Sequence, residues 1–97
     1  MENYNGYKNY FTWNLKLWMD NDEHSYNAYR AAAREIIAEN PDKLQAVGVL
    51  ADQLKNGVEE SAPELEPSFY CDILTAAIDN VDFFEIAEEI ITELLEE

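Results

Sequence analysis

The chain has few of the residues on which covalent cross-links and most enzyme sites depend. It contains one cysteine, Cys71, which cannot form an internal disulfide, and one histidine, His24. It has neither a glycine-rich phosphate loop nor a serine in a recognisable nucleophile turn. We therefore expect a protein of a reducing compartment that is not an enzyme. Cys71 should behave as a small apolar residue, and His24 should lie in an exposed helical turn.

Long apolar segments are also missing. No run approaches the roughly 20 residues needed to cross a bilayer, and the polar N-terminal segment lacks the apolar stretch of a secretion signal. Ninety-seven residues suit one domain with a modest core. We expect a single soluble domain over residues 1–97, located in the cytoplasm and without contact with a membrane.

Positive charge is scarce, and it is absent from the C-terminal part of the chain. Twenty-one acids against six bases give a net charge of −15, and the last base is Lys55. From residue 56 onward there are thirteen acids and no base. Such a surface repels nucleic acid and anionic membranes and attracts basic proteins, although net charge can also serve solubility alone.

The acids do not predict a metal site. Residues 20–22, Asp-Asn-Asp, begin like a calcium-binding loop, but Ser25 occupies the position that requires glycine and Ala31 the position of the bidentate glutamate. The other carboxylates have no spacing that makes several of them converge on one ion. We expect neither a metal nor a cofactor.

Hydrophobic periodicity and capping residues predict an all-α, compact bundle of about five helices, although the alternating apolar residues of 11–17 also fit a strand. An arm at residues 1–9, with a turn at Asn5-Gly6, should pack on the body through its tyrosines. The first helix, capped by Thr12, carries both tryptophans, which we expect to anchor a Trp/Tyr-rich core. The later helices are predicted at residues 22–39, 41–57, 67–80 and 82–97.

Single residues give further detail for the middle helices. Gly48 costs the third helix about 1 kcal/mol relative to alanine and is expected to mark the close approach of another helix. Pro41 is expected in the first turn of this helix, and Gly57 should end it in a left-handed conformation. In the fourth helix, Phe69 and Ile73 are expected to face the core.

The last predicted helix separates apolar from acidic residues most clearly. Asp82 and Glu85 form a capping box at its start. Its acidic face should point into solvent, with no base in the last 42 residues to relieve the mutual repulsion of the carboxylates. The apolar face consists of Phe83, Ile86, Ala87, Ile90, Ile91 and Leu94, and the acidic stripe consists of Asp82, Glu85, Glu89, Glu93 and Glu96.

The segment from Tyr10 to Asn27 resembles a signature of small proteins of phages and other mobile elements. The resemblance covers about 18 of the 97 residues and implies a genomic setting rather than a reaction. Phe11 stands where the signature has a glutamate. The matching residues are Tyr10, Thr12, Trp13, Asn14, Leu17, Trp18, Asn21, Asp22, Glu23, Tyr26 and Asn27.

In size and acidity the chain is similar to acidic anti-CRISPR and anti-restriction inhibitors that mimic nucleic acid. Its last 16 residues hold seven acids, about one per 3.4 Å of helix, which is close to the charge spacing along one DNA strand. The first hypothesis is therefore a phage-type inhibitor that acts in the host cytoplasm. It would bind the basic groove of a host nucleic-acid-binding defence complex through the acidic stripe, without binding nucleic acid itself.

The second hypothesis is a helical protein-protein interaction or regulatory module. Its acidic half would only keep the chain soluble. Its working surface would be the aromatic region of residues 10–27 or the face of a homodimer. The contact residues in the aromatic region would be Asn14, Asp20, Asp22 and Glu23.

Overall fold

The computed structural model describes residues 4–97, and the part of the arm prediction that concerns residues 1–3 lies outside this range. Within it the chain forms five helices and no sheet, which confirms the predicted all-α bundle. The molecule measures 43 × 30 × 25 Å. The helices are α1 (Tyr10–Asn21), α2 (Glu23–Glu39), α3 (Lys43–Ser61), α4 (Phe69–Asp79) and α5 (Phe83–Leu95).

Side-chain caps fix the start of four helices. Each capping side chain accepts a hydrogen bond from the backbone N–H three residues further on. Asp82 caps α5 as predicted, but the capping box is incomplete, because the Asp82 N–H donates to the hydroxyl of Thr12 and not to Glu85. Thr12 lies inside α1, and Pro41 precedes α3 because the cap of α3 follows it. The four caps are Asn9, Asp42, Ser68 and Asp82.

The third helix ends about one turn later than predicted. Gly57 is helical, and α3 ends at Ser61, where extended backbone leads into Pro63. A Cβ atom added at Gly48 would meet no atom within 4 Å, so this glycine does not mark a close helix approach. Neither glycine therefore has the role that the sequence predicted for it.

The core lies between α2, α3 and α5, and the expectation of a Trp/Tyr-rich core is wrong. Trp18 is 68% exposed, and Trp13 is half-buried at the surface. The side of α1 that faces the body instead presents Thr12 and Lys16, which are both buried. The core consists of Tyr29, Ala33, Ile36, Ala46, Val47, Leu50, Ala51, Phe83, Ile86, Ala87, Ile90, Ile91 and Leu94, and it includes the whole predicted apolar face of α5.

The described part of the arm, residues 4–9, forms a tight turn that lies on the body, as predicted. Tyr4 and Tyr7 exchange N–H···O bonds of 2.6 and 2.8 Å. Asn5 and Gly6 between them have φ angles of 49° and 89°, the left-handed pair typical of a tight hairpin turn. The ring of Tyr4 packs against Trp13 with 4.9 Å between centroids, which fixes the arm to α1.

Candidate functional site

The N-terminal half of the acidic stripe is covered by the arm. The Lys8 backbone N–H donates to Glu85 at 3.0 Å, and its ammonium lies 3.9 Å from the carboxylate of Asp82. The Tyr7 hydroxyl donates to Glu89 at 2.8 Å. All three acids are half-buried. The expectation that this part of the stripe points into solvent is therefore wrong.

Near the C-terminus, Glu93 of the stripe and the neighbouring Glu97 outside it are paired with bases of α2. Arg30 lies 3.9 Å from Glu93 and 3.4 Å from Glu97, and Arg34 lies 3.3 Å from Glu97. Glu96 is exposed and has no ion pair within residues 4–97. The sequence places no base near these acids along the chain, but folding brings bases from the first half of the chain to α5.

A buried lysine forms the centre of a polar cluster. Lys16 is 4% exposed, and its ammonium lies 2.7 Å from Asp20 and 3.1 Å from Glu89. The Tyr29 hydroxyl donates a hydrogen bond to Asp20, and the Tyr7 hydroxyl donates one to Glu89. We call these five residues the Lys16 cluster. It joins the arm, α1, α2 and α5, and it gives each carboxylate both a cation and a hydroxyl donor.

The Lys16 cluster favours structure over proton transfer. Burial alone would lower the pKa of Lys16, but the hydrogen bonds to Asp20 and Glu89 outweigh it, so the pKa is raised. Burial, and then the hydrogen bond to a carboxylate, raises the pKa of Tyr7 and of Tyr29 above the ordinary value of 10.0. A nucleophilic lysine or a tyrosine base needs a lowered pKa. These side chains are held in their protonated forms, in which they hold the fold together.

The stability of the protein should fall as pH rises above about 10. Tyr7 and Tyr29 stay protonated in the folded state but ionise near their ordinary pKa in the unfolded chain, because only the folded pKa is raised. Their contribution is therefore complete below pH 10 and is lost as pH rises toward the folded pKa. Urea titrations between pH 7 and pH 11 measure this loss.

Phenylalanine variants separate this effect from general alkaline unfolding. Tyr7→Phe and Tyr29→Phe should each cost about 1–2 kcal/mol at pH 7, because each removes a hydrogen bond to a carboxylate. Both variants should show a shallower loss of stability above pH 10. Tyr70→Phe is the control, since Tyr70 is exposed and makes no hydrogen bond within residues 4–97. Equal slopes for all three variants would contradict the prediction.

The residues of the second hypothesis do not share one surface. Asp20 belongs to the Lys16 cluster, whereas Asp22 lies at the start of α2, where the hydroxyl of Ser25 donates to it and lowers its pKa. Glu23 is exposed in the first turn of α2. Asn14 is half-buried in a small cleft of about 230 Å³. Of the four, only Asn14 adjoins the apolar surface described next.

Large aromatic and aliphatic side chains are exposed on α4. Phe69 is 71% exposed, Tyr70 is 74% exposed and Ile73 is 53% exposed, so the expectation that Phe69 and Ile73 face the core is wrong. No side chain of α4 is fully buried. Leu74 and Ile78 point toward the body but remain half-buried. We call Phe69, Tyr70 and Ile73 the α4 face.

An apolar groove of about 630 Å³ runs between α4 and the helices beside it. We call it the α4 groove. It adjoins the smaller cleft, which Phe11 and Trp18 of α1 line, because Val58 and Ile78 line both. The groove is lined by Met19, Ser25, Ala28, Tyr29, Ala32, Leu50, Gln53, Leu54, Gly57, Val58, Ser61, Ala62, Leu74 and Ile78.

Acids without partners accompany this apolar surface. Six carboxylates lie on the last turn of α3, on the connector that leads to α4, and on α4 itself. All are exposed, and none makes an ion pair in the part of the chain that the structure describes. We call them the acidic rim, and they are Glu59, Glu60, Glu64, Glu66, Asp72 and Asp79.

Comparison with known proteins adds a family but no activity. The model of a family of unknown function, DUF7249, matches residues 1–97. The chain belongs to this family. No curated protein and no solved structure matches the DUF7249 chain.

The sequence of the DUF7249 chain contained a signal for the α4 surface that the prediction did not use. Apolar residues cover more than half of the circumference of α4, including Phe69, Tyr70, Ile73, Leu74 and Ile78, and only Asp72, Thr75 and Asp79 share a polar side. A helix with so broad an apolar surface is either enclosed by other elements or leaves an apolar face exposed. A short chain has too few elements to enclose such a helix, so an exposed face was the alternative to expect.

The histidine and the cysteine of the DUF7249 chain lie on different helices. His24 is exposed near the start of α2, and Cys71 is half-buried in α4. Residues 4–97 contain no group of three or more His, Cys, Asp or Glu side chains placed to hold a metal ion. No helix in this range has the length and apolar character required to span a membrane.

Proposed function

We propose that this protein is an interaction module that binds a positively charged protein through the α4 face. The observation that carries the proposal is the exposure of three large apolar side chains, Phe69, Tyr70 and Ile73, on a helix that buries no residue fully. Contiguous apolar surface of this kind on a small domain marks interaction sites, and aromatic side chains supply much of the binding energy at such sites.

The acidic rim determines which partner fits. Its six carboxylates lie beside the apolar surface and lack ion pairs within residues 4–97, and the whole chain carries a net charge of −15. A second copy of the chain would bring like charges together and be repelled, whereas a basic partner would be attracted and bind quickly. The proposal therefore favours a basic protein over a homodimer.

The acidic stripe of α5 is less suited to bind a partner. Glu85 and Glu89 hold the arm, and Glu89 also balances the buried Lys16. Reversing these charges would break contacts inside the protein, so lost binding would not distinguish a damaged interface from a damaged fold. An informative test leaves α5 unchanged.

A narrower form of the proposal names a nucleic-acid-binding defence protein of the host as the partner. The unpaired acidic rim supports it, because such proteins have basic grooves that attract closely spaced carboxylates. The chain would then be a phage-type inhibitor in which the rim, rather than the α5 stripe, takes the place of phosphates. Displacement of DNA from a captured partner would distinguish an inhibitor of this kind from a module that binds elsewhere.

The test compares capture by the wild type and by a triple variant, Phe69→Ala, Tyr70→Ala and Ile73→Ala. Proteins bound from a lysate of the native cells are quantified at about 50 and about 500 mM salt. The wild type should retain a basic protein, and less of it should stay bound at high salt. The affinity of the triple variant for this protein should be at least about tenfold lower. The purified partner is then tested for release of bound DNA.

Leu44→Ala is the matched control for this experiment. Leu44 is also a large exposed apolar residue, at 67%, but it lies at the start of α3 and outside the α4 groove. The control should bind like the wild type, and circular dichroism should show unchanged helicity for every variant. If the triple variant captures the same basic protein as strongly as Leu44→Ala, the α4 face is not the binding surface.

A further inference from the structure

We propose that the α4 groove seats a single basic amphipathic helix of the partner. This inference rests on the proposed function and specifies the form of the bound segment and its position. The occupant is a helix with apolar residues on one face and lysine or arginine on the other. It lies along the groove between α2 and α3, beside α4.

The shape of the groove fits a helix. Its α2 wall includes Tyr29 and three small residues, Ser25, Ala28 and Ala32, which recur every three or four positions. Its α3 wall includes Gly57 and Ser61, which are small as well. Small residues on both walls allow the backbone of an inserted helix to come close. The volume of about 630 Å³ is large enough for several side chains from one face of that helix.

Gly57 has no role within the chain that accounts for it. It lies in the interior of α3, where glycine is less favourable than alanine, and a Cβ atom added to it would meet nothing within 4 Å. Its φ is not in the left-handed region, in contrast to that of Gly6. The missing side chain leaves space in the groove wall, and a helix bound in the groove would use this space.

The lining and the rim together specify an amphipathic occupant. Leu50, Leu54, Val58, Leu74 and Ile78 offer apolar contacts for residues at i, i+3, i+4 and i+7 of a bound helix. Within residues 4–97 no base lines the groove, and the acidic rim continues along α4 and the connector before it. The outer face of the bound helix should therefore be basic, which excludes a helix from a second copy of this acidic chain.

The experiment uses a model peptide of about 18 residues that contains only leucine and lysine in an amphipathic helical order. The control peptide has the same composition in a permuted order that abolishes the apolar face. Binding to the full chain is measured by isothermal titration calorimetry, and amide chemical shifts locate the bound peptide. We expect the amphipathic peptide to bind at least tenfold more tightly than the permuted one, with shifts at Ala28, Ala32 and Gly57.

Two glycine variants make the test specific for the groove. Gly57→Leu places a large side chain in the groove. Gly48→Leu makes the same change in the same helix, but Gly48 lies nine residues earlier, on the opposite side of α3, and does not line the groove. Leucine has a higher helix propensity than glycine, so both variants should keep the fold. Gly57→Leu should weaken peptide binding at least tenfold, and Gly48→Leu should leave it unchanged.

The outcomes separate this inference from the proposed function. Equal binding by Gly57→Leu and Gly48→Leu, or by the two peptides, would overturn the groove as the seat of a helix. If that result came with loss of the native partner in the triple variant of the α4 face, the proposed function would stand and only the groove assignment would fail. If the native partner bound the triple variant normally, the proposed function would fail as well.

Discussion

Ile90→Ala should lower the free energy of unfolding by about 3–4 kcal/mol, whereas Trp18→Ala should lower it by less than about 1 kcal/mol. Ile90 is completely buried between α5 and its neighbours, so its truncation removes apolar contacts and leaves a cavity. Trp18 is far larger, but most of its surface is already in contact with water. Urea denaturation of both variants at pH 7 measures the difference.

Leu95→Ala is the control for the core substitution. Leu95 lies in the same helix as Ile90 and loses a side chain of the same size, but it is exposed. We expect a cost of less than about 1 kcal/mol for this variant. A Trp18→Ala variant that was destabilised as much as Ile90→Ala would show that the core includes the tryptophans, as the sequence alone predicted.

Lys16→Met should destabilise the protein by about 2–3 kcal/mol. Methionine keeps most of the apolar stem of Lys16 but removes the ammonium that lies between Asp20 and Glu89. The two carboxylates then lose their shared cation while they remain close to each other. Removing one partner of a fully buried pair costs about 3–5 kcal/mol, and the partial exposure of these carboxylates reduces the expected loss. Thermal unfolding should show a decrease in Tm of about 10–20 °C.

Two further variants identify the cause of this loss. Lys55→Met removes an exposed lysine that has no ion pair within residues 4–97, and its effect should stay within about 0.5 kcal/mol. Adding Glu89→Gln to Lys16→Met should restore part of the stability, because it removes one of the two unbalanced carboxylates. Lys16→Met and Lys55→Met of equal stability would mean that the buried ion pairs contribute nothing to the fold.

The ion pairs also explain how so acidic a chain folds. Lys8, Lys16, Arg30 and Arg34 all belong to the first half of the sequence, and all four contact acids of residues 82–97. The bases therefore relieve repulsion along α5, while the acidic rim near α4 keeps its full charge. The six carboxylates of the acidic rim consequently have no ion pair with a base within residues 4–97, whereas Asp82, Glu89, Glu93 and Glu97 each have at least one.

The sequence by itself determined the helical class, the positions of α2 and α5, and the buried face of α5. These features depend on interactions over a few residues, such as the cap at Asp82 and the apolar repeat from Phe83 to Leu94, so they can be recognised locally. The turn at Asn5-Gly6 was predictable for the same reason, because its backbone conformation depends on the two residues themselves.

Only the tertiary structure decided which apolar and charged faces are covered. The chain has more apolar surface than a core of this size can bury, and the helix faces that pack together are the aliphatic ones of α3 and α5, which leaves Trp18 and Phe69 outside. The partners of the α5 acids are equally invisible in sequence, because Tyr7 and Glu89 are 82 positions apart. Such contacts exist only once the chain has folded, and so does the α4 groove.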